Sequence, residues 1–302
     1  MNDERRGFLL GVAAYVMWGL FPVYWTLLEP AGAVEILAHR VCWSLLVMVA
    51  LTVALRRTAQ LRGILRSPRL LGLLTLASVV IGLNWGGFIW GVNNDRVVEV
   101  SLGYFINPLV TVLLGVFVLG ERLRPLQWTA IGIAGLAVVG LTIDYGHPPW
   151  IAFLLAGSFA TYGLMKKKAG VEAVESLTFE TLVLAPIALG YLVWLSVDGT
   201  ASLGSNGVSH ALLLASTGVV TAVPLICFGA AAIRVSMTTI GLLQYLAPTL
   251  HFALGLLVFH EEMTPVKWFG FALVWLALVI FTSEALRHRS RQLRMAAEAS
   301  AL

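Results

Sequence analysis

Long apolar runs recur along almost the whole chain, and they constrain its fold more than any other feature. Each is about 20 residues long, enough for a helix to cross a hydrocarbon core of roughly 30 Å. A membrane β-barrel would show shorter segments of alternating polarity instead. The chain is therefore predicted to be an all-α polytopic membrane protein. Its spans 1 to 10 lie at about 7–29, 33–55, 70–92, 97–119, 126–144, 150–165, 175–197, 209–232, 237–259 and 266–284.

The composition agrees with a chain embedded in lipid. Of its 302 residues, 59% are hydrophobic and 12% are charged, against about 25% charged in soluble proteins. The net charge of +4 does not indicate a nucleic-acid partner, because the basic residues lie in short loops between spans. Cys42 and Cys227 lie within spans and lack the spacing of a disulfide or metal site. We predict no metal and no other cofactor.

The loops carry their positive charge almost wholly on one side. With the N-terminus in the cytoplasm, 17 of the 20 Lys and Arg residues lie on the cytoplasmic side. Only Arg96 and Lys267 lie outside, and Arg40 lies within span 2. Because positively charged loops stay in the cytoplasm, we predict that both termini are cytoplasmic. The long loop 198–208 is rich in Gly and Ser, a composition typical of mobile loops.

The chain also repeats itself. The stretch Val97–Trp128 returns 140 residues later as Met237–Trp268, and Ala33–Leu37 returns at the same offset. Each copy then holds five spans, and because five is odd the second copy enters the membrane from the opposite side. The identical pairs of the longer stretch are Leu102/Leu242, Pro108/Pro248, Leu114/Leu254, Gly115/Gly255, Val118/Val258, Glu121/Glu261, Pro125/Pro265 and Trp128/Trp268.

This repeat predicts the domain organisation. Residues 1–145 form the first five-helix repeat, 146–286 the second, inverted repeat, and 287–302 a basic cytoplasmic tail. Two inverted halves enclose a site that can face either side of the membrane when one half rocks against the other. The predicted fold is thus ten transmembrane helices in two inverted five-helix repeats.

Several motifs together resemble the EamA-domain drug/metabolite transporters of the RarD type. They are Trp18-Gly19 with Pro22-Val23-Tyr24-Trp25, Ala38-His39-Arg40, Tyr104-Phe105-Ile106-Asn107-Pro108, and Gly120-Glu121-Arg122-Leu123 before Pro125-Leu126-Gln127-Trp128. The resemblance implies a multi-pass carrier of the bacterial cytoplasmic (inner) membrane. It also implies a central cavity lined by spans 1, 3, 4, 6, 8 and 9. The second repeat departs from the first by having Glu180 where the first has Arg40.

Arg40 is the most unusual residue of the spans, because it lies roughly 10 Å below the outer surface. A charge at that depth is costly and is a functional hypothesis by default. It could bind an anionic group or act in gating, with Glu35 and Glu99 as candidate partners. The alternative is an Arg that extends to the interface or holds a structural ion pair. His39 shares a helix face with Glu35, and this pair could relay a proton or be purely structural.

Polar and aromatic residues deep in the spans are the candidates for lining the cavity. Asn and Gln at such depth either line a cavity or join helices by hydrogen bonds. Trp18, Trp85 and Trp90 are candidate aromatic walls. For Trp18, in the middle of span 1, interfacial anchoring is no explanation. The predicted substrate-cavity residues are Trp18, Asn84, Tyr104, Asn107, Gln244, Tyr245 and His251.

Prolines within the spans are predicted to bend them. A proline lacks the N–H that would bond to the carbonyl four residues earlier, and bent helices at corresponding positions of two repeats point to a binding site. We predict kinks at Pro22, Pro108 and Pro248, with packing kinks that touch no ligand as the alternative. Glu121 and Glu261, at the ends of their spans, are predicted to make cap or loop contacts.

Catalytic and nucleotide motifs are missing from the sequence. It has no G-x-x-x-x-G-K-[ST], no H-E-x-x-H and no G-x-S-x-G, so we predict that it is not an enzyme. The favoured function is a secondary transporter of a small metabolite or drug-like solute. The resemblance implies that it is an exporter, and proton coupling is left open. A lipid-carrier flippase and a membrane enzyme are the alternatives. Glycines such as Gly132, Gly135 and Gly140 could pack within the monomer or in a homodimer.

Overall fold

A computed structural model describes residues 3–120, 122–232, 234–235 and 237–300 of the chain. Within these ranges the regular structure consists of helices α1 to α13. The first seven are α1 Asp3–Gly19, α2 Phe21–Thr26, α3 Ala33–Ala54, α4 Thr58–Leu65, α5 Pro68–Asn93, α6 Val97–Leu119 and α7 Pro125–Tyr145. The others are α8 Trp150–Ala169, α9 Ala173–Asp198, α10 Gly207–Ala232, α11 Met237–Leu243, α12 Leu246–Leu257 and α13 Pro265–Ser300.

Seven of these helices are long and apolar enough to cross a membrane: α3, α5, α6, α7, α9, α10 and α13. They correspond to predicted spans 2, 3, 4, 5, 7, 8 and 10. The remaining predicted spans take other forms. Span 1 is divided into α1 and α2, span 9 is divided into α11 and α12, and span 6 is α8, whose last turn holds three lysines. The helix of span 10 also continues beyond the predicted span, as far as Ser300.

The three predicted kink prolines occupy different places in their helices. Pro22 lies in the first turn of α2, directly after the break at Leu20. Pro248 lies near the start of α12, which follows the break at Gln244 and Tyr245. Pro108, in contrast, lies inside α6, which runs unbroken from Val97 to Leu119. The two copies of the repeated stretch therefore differ, one being a single helix and the other two.

Most helix packing joins an element before residue 146 to one after it. Helix α3 packs on α9 and α10, α5 and α6 both pack on α8, and α7 packs on α13. Helix α1 packs on α10 and α12, and α12 also packs on α6. The two halves of the chain are therefore interleaved and share one interior.

Two glycines permit the closest of these approaches. A Cβ on Gly103 of α6 would lie 2.9 Å from the carbonyl oxygen of Ala152 on α8. A Cβ on Gly218 of α10 would lie 2.5 Å from the carbonyl oxygen of Trp43 on α3. Because a side chain at either position would clash with backbone, glycine is what allows α6 to touch α8 and α10 to touch α3.

The interior and the outer surface are both apolar. One aromatic cluster joins α6, α12 and α13, where the ring centroids of Phe252 and Phe271 lie 4.6 Å apart. The surface also exposes large aliphatic side chains, for example Ile143 at 76% and Val197 at 84%. Exposed apolar surface on this scale is what a lipid environment requires.

Candidate substrate site

The break between α1 and α2 leaves a backbone carbonyl without its helical partner. Pro22 has no N–H to bond to the carbonyl of Trp18, four residues earlier. Nε2 of His251, on α12, donates to this oxygen at 3.0 Å. Gly19 lets α12 approach, because a Cβ there would lie 2.5 Å from Leu250. The proline thus creates an acceptor that a histidine of the other half of the chain occupies.

The ring of His251 continues this contact into a group of aromatic and amide side chains. Its centroid lies 5.3 Å from that of Phe88 and 5.8 Å from that of Tyr104. The Tyr104 hydroxyl donates to Oδ1 of Asn84 at 3.2 Å. The Asn84 amide donates in turn to Oγ of Ser158, on α8, at 2.9 Å. A chain of contacts therefore links α12, α5, α6 and α8.

Four predicted cavity residues, Trp18, Asn84, Tyr104 and His251, belong to this one group, which we call the central cluster. Phe228 of α10 adds to it, with its ring centroid 5.7 Å from that of Trp18. Its members come from α1, α5, α6, α8, α10 and α12, the elements that correspond to spans 1, 3, 4, 6, 8 and 9. These are the six spans that the sequence resemblance implied for the cavity.

Three other predicted cavity residues lie outside the central cluster. Tyr245 packs with the aromatic cluster of α6 and α13, and its hydroxyl lies 3.4 Å from Oγ1 of Thr282. Gln244 is half-buried at the break before α12. Asn107 is half-buried on α6, and its Oδ1 is fully enclosed without a hydrogen-bond partner among the described residues. The predicted depth of a residue within its span therefore does not distinguish these three residues from the four that lie in the central cluster.

Arg40 lies beside the central cluster with only 4% of its surface exposed. Its guanidinium carbon is 4.0 Å from the ring centroid of Trp85, 5.0 Å from that of Trp25 and 5.7 Å from that of Phe21. Its Nε donates to Oγ1 of Thr221, on α10, at 3.1 Å. A buried cation is therefore surrounded mainly by aromatic rings, which attract it through their negative faces.

Neither candidate partner of Arg40 reaches it. Both oxygens of Glu35 accept from Ser202, one from its backbone N–H at 2.7 Å and one from its hydroxyl at 2.9 Å. Glu99 accepts from the backbone N–H of Ile151 at 3.0 Å and ion-pairs with Arg96 at 3.4 Å. In the described ranges, Arg40 forms no ion pair with any carboxylate.

The predicted His39–Glu35 pair is present but loose. Nε2 of His39 lies 3.9 Å from Oε1 of Glu35, beyond hydrogen-bond distance, and both side chains are buried. The loop 198–208 covers this pair, because Ser202 binds Glu35. The second histidine nearby, His210, bonds to the carbonyl of Leu28 at 2.8 Å.

Glu261 makes the cap contact predicted for a span end. It lies between α12 and α13, and its carboxylate accepts from the backbone N–H groups of Val97 and Val98 at the start of α6. Burial is the main reason that its pKa rises to about 7, with the nearby charge of Asp95 adding to the rise. The two backbone donors and Lys267 act in the opposite direction. Its counterpart Glu121 lies outside the described residues.

Some site residues escaped the sequence reasoning. Nothing in the sequence indicates that Thr221 binds Arg40, because this contact arises from the packing of α10 on α3. Trp25 belongs to one of the family-like motifs, and only its position seven residues after Trp18 could have indicated that it lies near the site. No group of three or more His, Cys, Asp or Glu suited to a metal ion occurs among the described residues. The site is thus aromatic, polar and cationic, a composition that can bind a solute.

Known proteins resemble this chain closely in sequence. Residues 5–143 match the EamA-like transporter family. A protein called Protein RarD from Streptomyces exfoliatus is 58% identical over 99% of this chain and 95% of its own. Protein RarD of Escherichia coli is 44% identical over 96% of this chain and 98% of its own. An uncharacterized transporter of Vibrio cholerae is 42% identical over 97% of this chain and 98% of its own.

A solved crystal structure supports the fold independently. It covers 92% of this chain and 98% of its own, with a TM-score of 0.58 and 18% sequence identity, a likeness that concerns the fold alone. The apolar helices and the relatives together establish a multi-pass membrane transporter of the drug/metabolite type rather than an enzyme. The chain belongs to the EamA-like transporter family, among its RarD-type members.

Proposed function

We propose that this transporter is a ten-span secondary carrier that exports a small solute across the bacterial cytoplasmic membrane by alternating access. Seven spans are the long apolar helices described above. In our proposal the other three are α1 with α2, α8, and α11 with α12. Both termini then lie in the cytoplasm, on the side that carries most of the positive charge.

The pattern of helix packing supports two inverted repeats, 1–145 and 146–286, followed by the tail 287–302. Each span of the first repeat has a counterpart five spans later. When every span is replaced by its counterpart, each helix contact turns into another contact that is also present. The contact of α1 with α10 corresponds to that of α8 with α5, and α1 with α12 corresponds to α8 with α6. The contacts of α3 with α9 and of α7 with α13 correspond to themselves. A pseudo-two-fold axis has this property.

The observation that carries the proposal is that the central cluster is held together across the two halves. His251 of the second half bonds to the Trp18 carbonyl of the first, and Asn84 of the first half bonds to Ser158 of the second. Rocking one half against the other would change these contacts together. A solute bound here would therefore be coupled to the motion that alternating access needs.

Other contacts between the halves lie at the end opposite the arginine-rich loops. They are the Glu261 cap on α6, the bond from Ser202 to Glu35, and the bond from the Ile151 N–H to Glu99. In our proposal these contacts close the outer side, and opening that side requires them to separate.

The test is counterflow into liposomes that contain the purified protein, with a panel of amino acids, amines and antibiotics. We expect saturable exchange of at least one solute, which a pH gradient changes if transport is proton-coupled. His251→Ala should lower the rate about tenfold, because it removes the buried bond to Trp18. Phe117→Ala is the control, since Phe117 is 77% exposed on the outer surface.

Failure of every solute in the panel would refute the proposal. Movement of a lipid-linked carrier in the same liposomes would support a flippase instead, and chemical change of a solute would support an enzyme. The homodimer suggested by the glycines of α7 stays a prediction. Cβ positions on Gly132, Gly135 and Gly140 meet nothing within 4 Å in the described chain, so these glycines are not explained by contacts within the monomer.

A further inference from the structure

Arg40 carries a buried charge that the described part of the protein does not neutralise. It is 4% exposed, and no Asp or Glu pairs with it. A cation in such a place costs free energy unless it is paired and hydrogen-bonded. The aromatic rings of Trp85 and Trp25 offset part of this cost, but a ring face accepts no conventional hydrogen bond from the edge of a guanidinium.

The hydrogen bonds around Arg40 leave donors without acceptors. Only its Nε donates to a described residue, to Thr221. The Thr221 hydroxyl donates its own hydrogen bond to the carbonyl of Thr217 at 2.8 Å. Tyr24 likewise donates to the carbonyl of Leu213 at 2.9 Å. The indole N–H of Trp25 is buried and has no hydrogen-bond partner among the described residues.

The excess of hydrogen-bond donors over acceptors around Arg40 indicates which kind of ligand would bind there. Both terminal nitrogens of Arg40 lack an acceptor in the described chain, and together they present a planar fork that matches a carboxylate. One cation balances the charge of one negative group, and the rings of Phe21, Trp25 and Trp85 surround it with apolar surface. Trp85, whose ring lies against the guanidinium, is next in sequence to Asn84, which accepts from the Tyr104 hydroxyl in the central cluster.

We propose that Arg40 binds the carboxylate of the transported solute, and that the solute is a monoanion with an apolar or aromatic body. This inference rests on the proposed transport function and specifies its substrate class. The carboxylate accepts from the terminal nitrogens of Arg40, while the body of the solute packs against the aromatic rings and reaches toward the central cluster. The charge of Arg40 is then neutralised by the solute, which explains why the described part of the protein supplies no carboxylate to pair with it.

Three probes that differ only in the head group test this assignment. They are 3-phenylpropionate, the neutral 3-phenylpropionamide and the cationic 3-phenylpropylamine. Binding is measured as the shift in thermal unfolding of the protein in nanodiscs, and transport as counterflow in liposomes. We expect the wild-type protein to prefer the propionate over the amide by about 10- to 100-fold, the range of a charge-assisted hydrogen-bonded pair.

Matched variants assign the preference to Arg40. Arg40→Gln should remove it, and Arg40→Lys should keep part of it, because a lysine retains the charge and loses the planar fork. Thr221→Asp should also remove it, since the new carboxylate would occupy the guanidinium. Arg62→Gln, an exposed position on α4, should behave as the wild type. The unliganded melting curve of each variant shows whether it is folded.

Two results would overturn the inference. One is a wild-type protein that ignores the propionate or binds the amide or amine as well. The other is a folded Arg40→Gln protein that keeps the preference for the anion. Either result leaves the transport proposal standing if any of the three probes, or any solute of the broader panel, shows counterflow.

Discussion

Arg40 and Glu180 occupy equivalent positions of the two repeats, 140 residues apart, and both are buried. Their surroundings are opposite in kind. Glu180 accepts from Lys166 at 3.0 Å, from the Tyr162 hydroxyl at 3.0 Å and from the Ser176 hydroxyl at 2.6 Å. Arg40 has one hydrogen bond, to Thr221, and no ionic partner in the described chain.

Glu180 is therefore a structural charge that the protein itself neutralises, whereas Arg40 is a charge that remains free to pair with a ligand. Glu180 is neutralised by a lysine of α8 and hydrogen-bonded within the protein, so a ligand would have little to add there. The terminal nitrogens of Arg40 have no hydrogen-bond acceptor in the described chain, and a ligand could supply one. The repeat thus has a charged residue at two equivalent positions. Glu180 joins α9 to α8, whereas Arg40 lies beside the central cluster without an ionic partner in the described chain.

Removing the structural charge should have the largest effect on stability. Glu180→Ala leaves Lys166, Tyr162 and Ser176 without their common acceptor, and breaking a buried ion pair costs about 3–5 kcal/mol. We expect the lower end, about 3 kcal/mol, because the Lys166 side chain is 22% exposed and can reach water. The measurement is denaturant or thermal unfolding in nanodiscs followed by tryptophan fluorescence.

The exposed Glu262 provides the control for that experiment. Glu262→Ala should change the unfolding free energy by less than about 0.5 kcal/mol, as exposed substitutions generally do. Equal effects of the two variants would show that the network around Glu180 does not stabilise the fold, and the contrast with Arg40 would then fail.

The sequence predicted the apolar spans well, because helices in lipid must satisfy their own backbone and therefore need long apolar runs. It also predicted Trp18, Asn84, Tyr104 and His251 as cavity residues, because aromatic and amide groups are unusual in the middle of apolar spans. The structure brings the four together, and their role in binding stays a prediction. Pro22 marked the break before α2. Periodicity did not show that the carbonyl freed there would receive a bond from His251, because that bond depends on how α12 packs.

The partners of Arg40 could not be predicted for a similar reason. Glu35 lies on the same helix, but five residues away it projects from a different face, and the Gly/Ser-rich loop folds back so that Ser202 binds it. Glu99 is taken by the first turn of α8. The position of Lys166 in the sequence indicates only membrane orientation, yet its side chain neutralises Glu180. Such contacts are set by tertiary packing, which residue spacing does not encode.

A second prediction tests whether close helix packing sets the Arg40 site. Gly218 lies one turn from Thr221, and its backbone contacts that of Trp43. Gly218→Ala should cost about 1–3 kcal/mol by overpacking, and it should move α10 away from α3, lengthening the bond from Arg40 to Thr221. The network of Glu180, between α8 and α9, should be unaffected.

Gly135→Ala is the matched control for this change. A Cβ at Gly135 meets nothing within 4 Å, so this variant should be neutral or up to about 1 kcal/mol more stable through helix propensity. Propionate binding in the two variants completes the comparison. Gly218→Ala binding as tightly as the wild type would mean that the contact of α3 with α10 does not position Arg40.

A third prediction concerns the stability contribution of Arg40 itself. Arg40→Met exchanges a buried charge for an apolar side chain of similar length. The loss of the aromatic contacts, about 2 kcal/mol, opposes the relief of desolvation. We therefore expect a net change within about 1 kcal/mol in the unliganded protein, measured as for Glu180→Ala. A loss as large as that of Glu180→Ala would show that Arg40 is a structural charge as well.

The smallest expected effect involves Glu261, an acid that binds backbone N–H groups rather than a side chain. Its pKa of about 7, raised from 4.5 chiefly by burial, means that the folded protein holds a proton there that the unfolded chain releases at lower pH. Its contribution to the unfolding free energy should therefore fall as pH rises from about 4.5 to 7 and then level off. Asp95 and Lys267 are the charged groups that face it.

Glu261→Gln isolates this contribution, because glutamine keeps an acceptor for Val97 and Val98 but does not titrate. Between pH 5.5 and 8 the melting temperature of the wild type should fall relative to the variant by about 2 °C, since solvent screening reduces the effect at a half-buried site. Parallel curves for the two proteins would contradict a titration near pH 7. A relative fall shows that the carboxyl of Glu261, which caps the first turn of α6, titrates in the folded protein near pH 7.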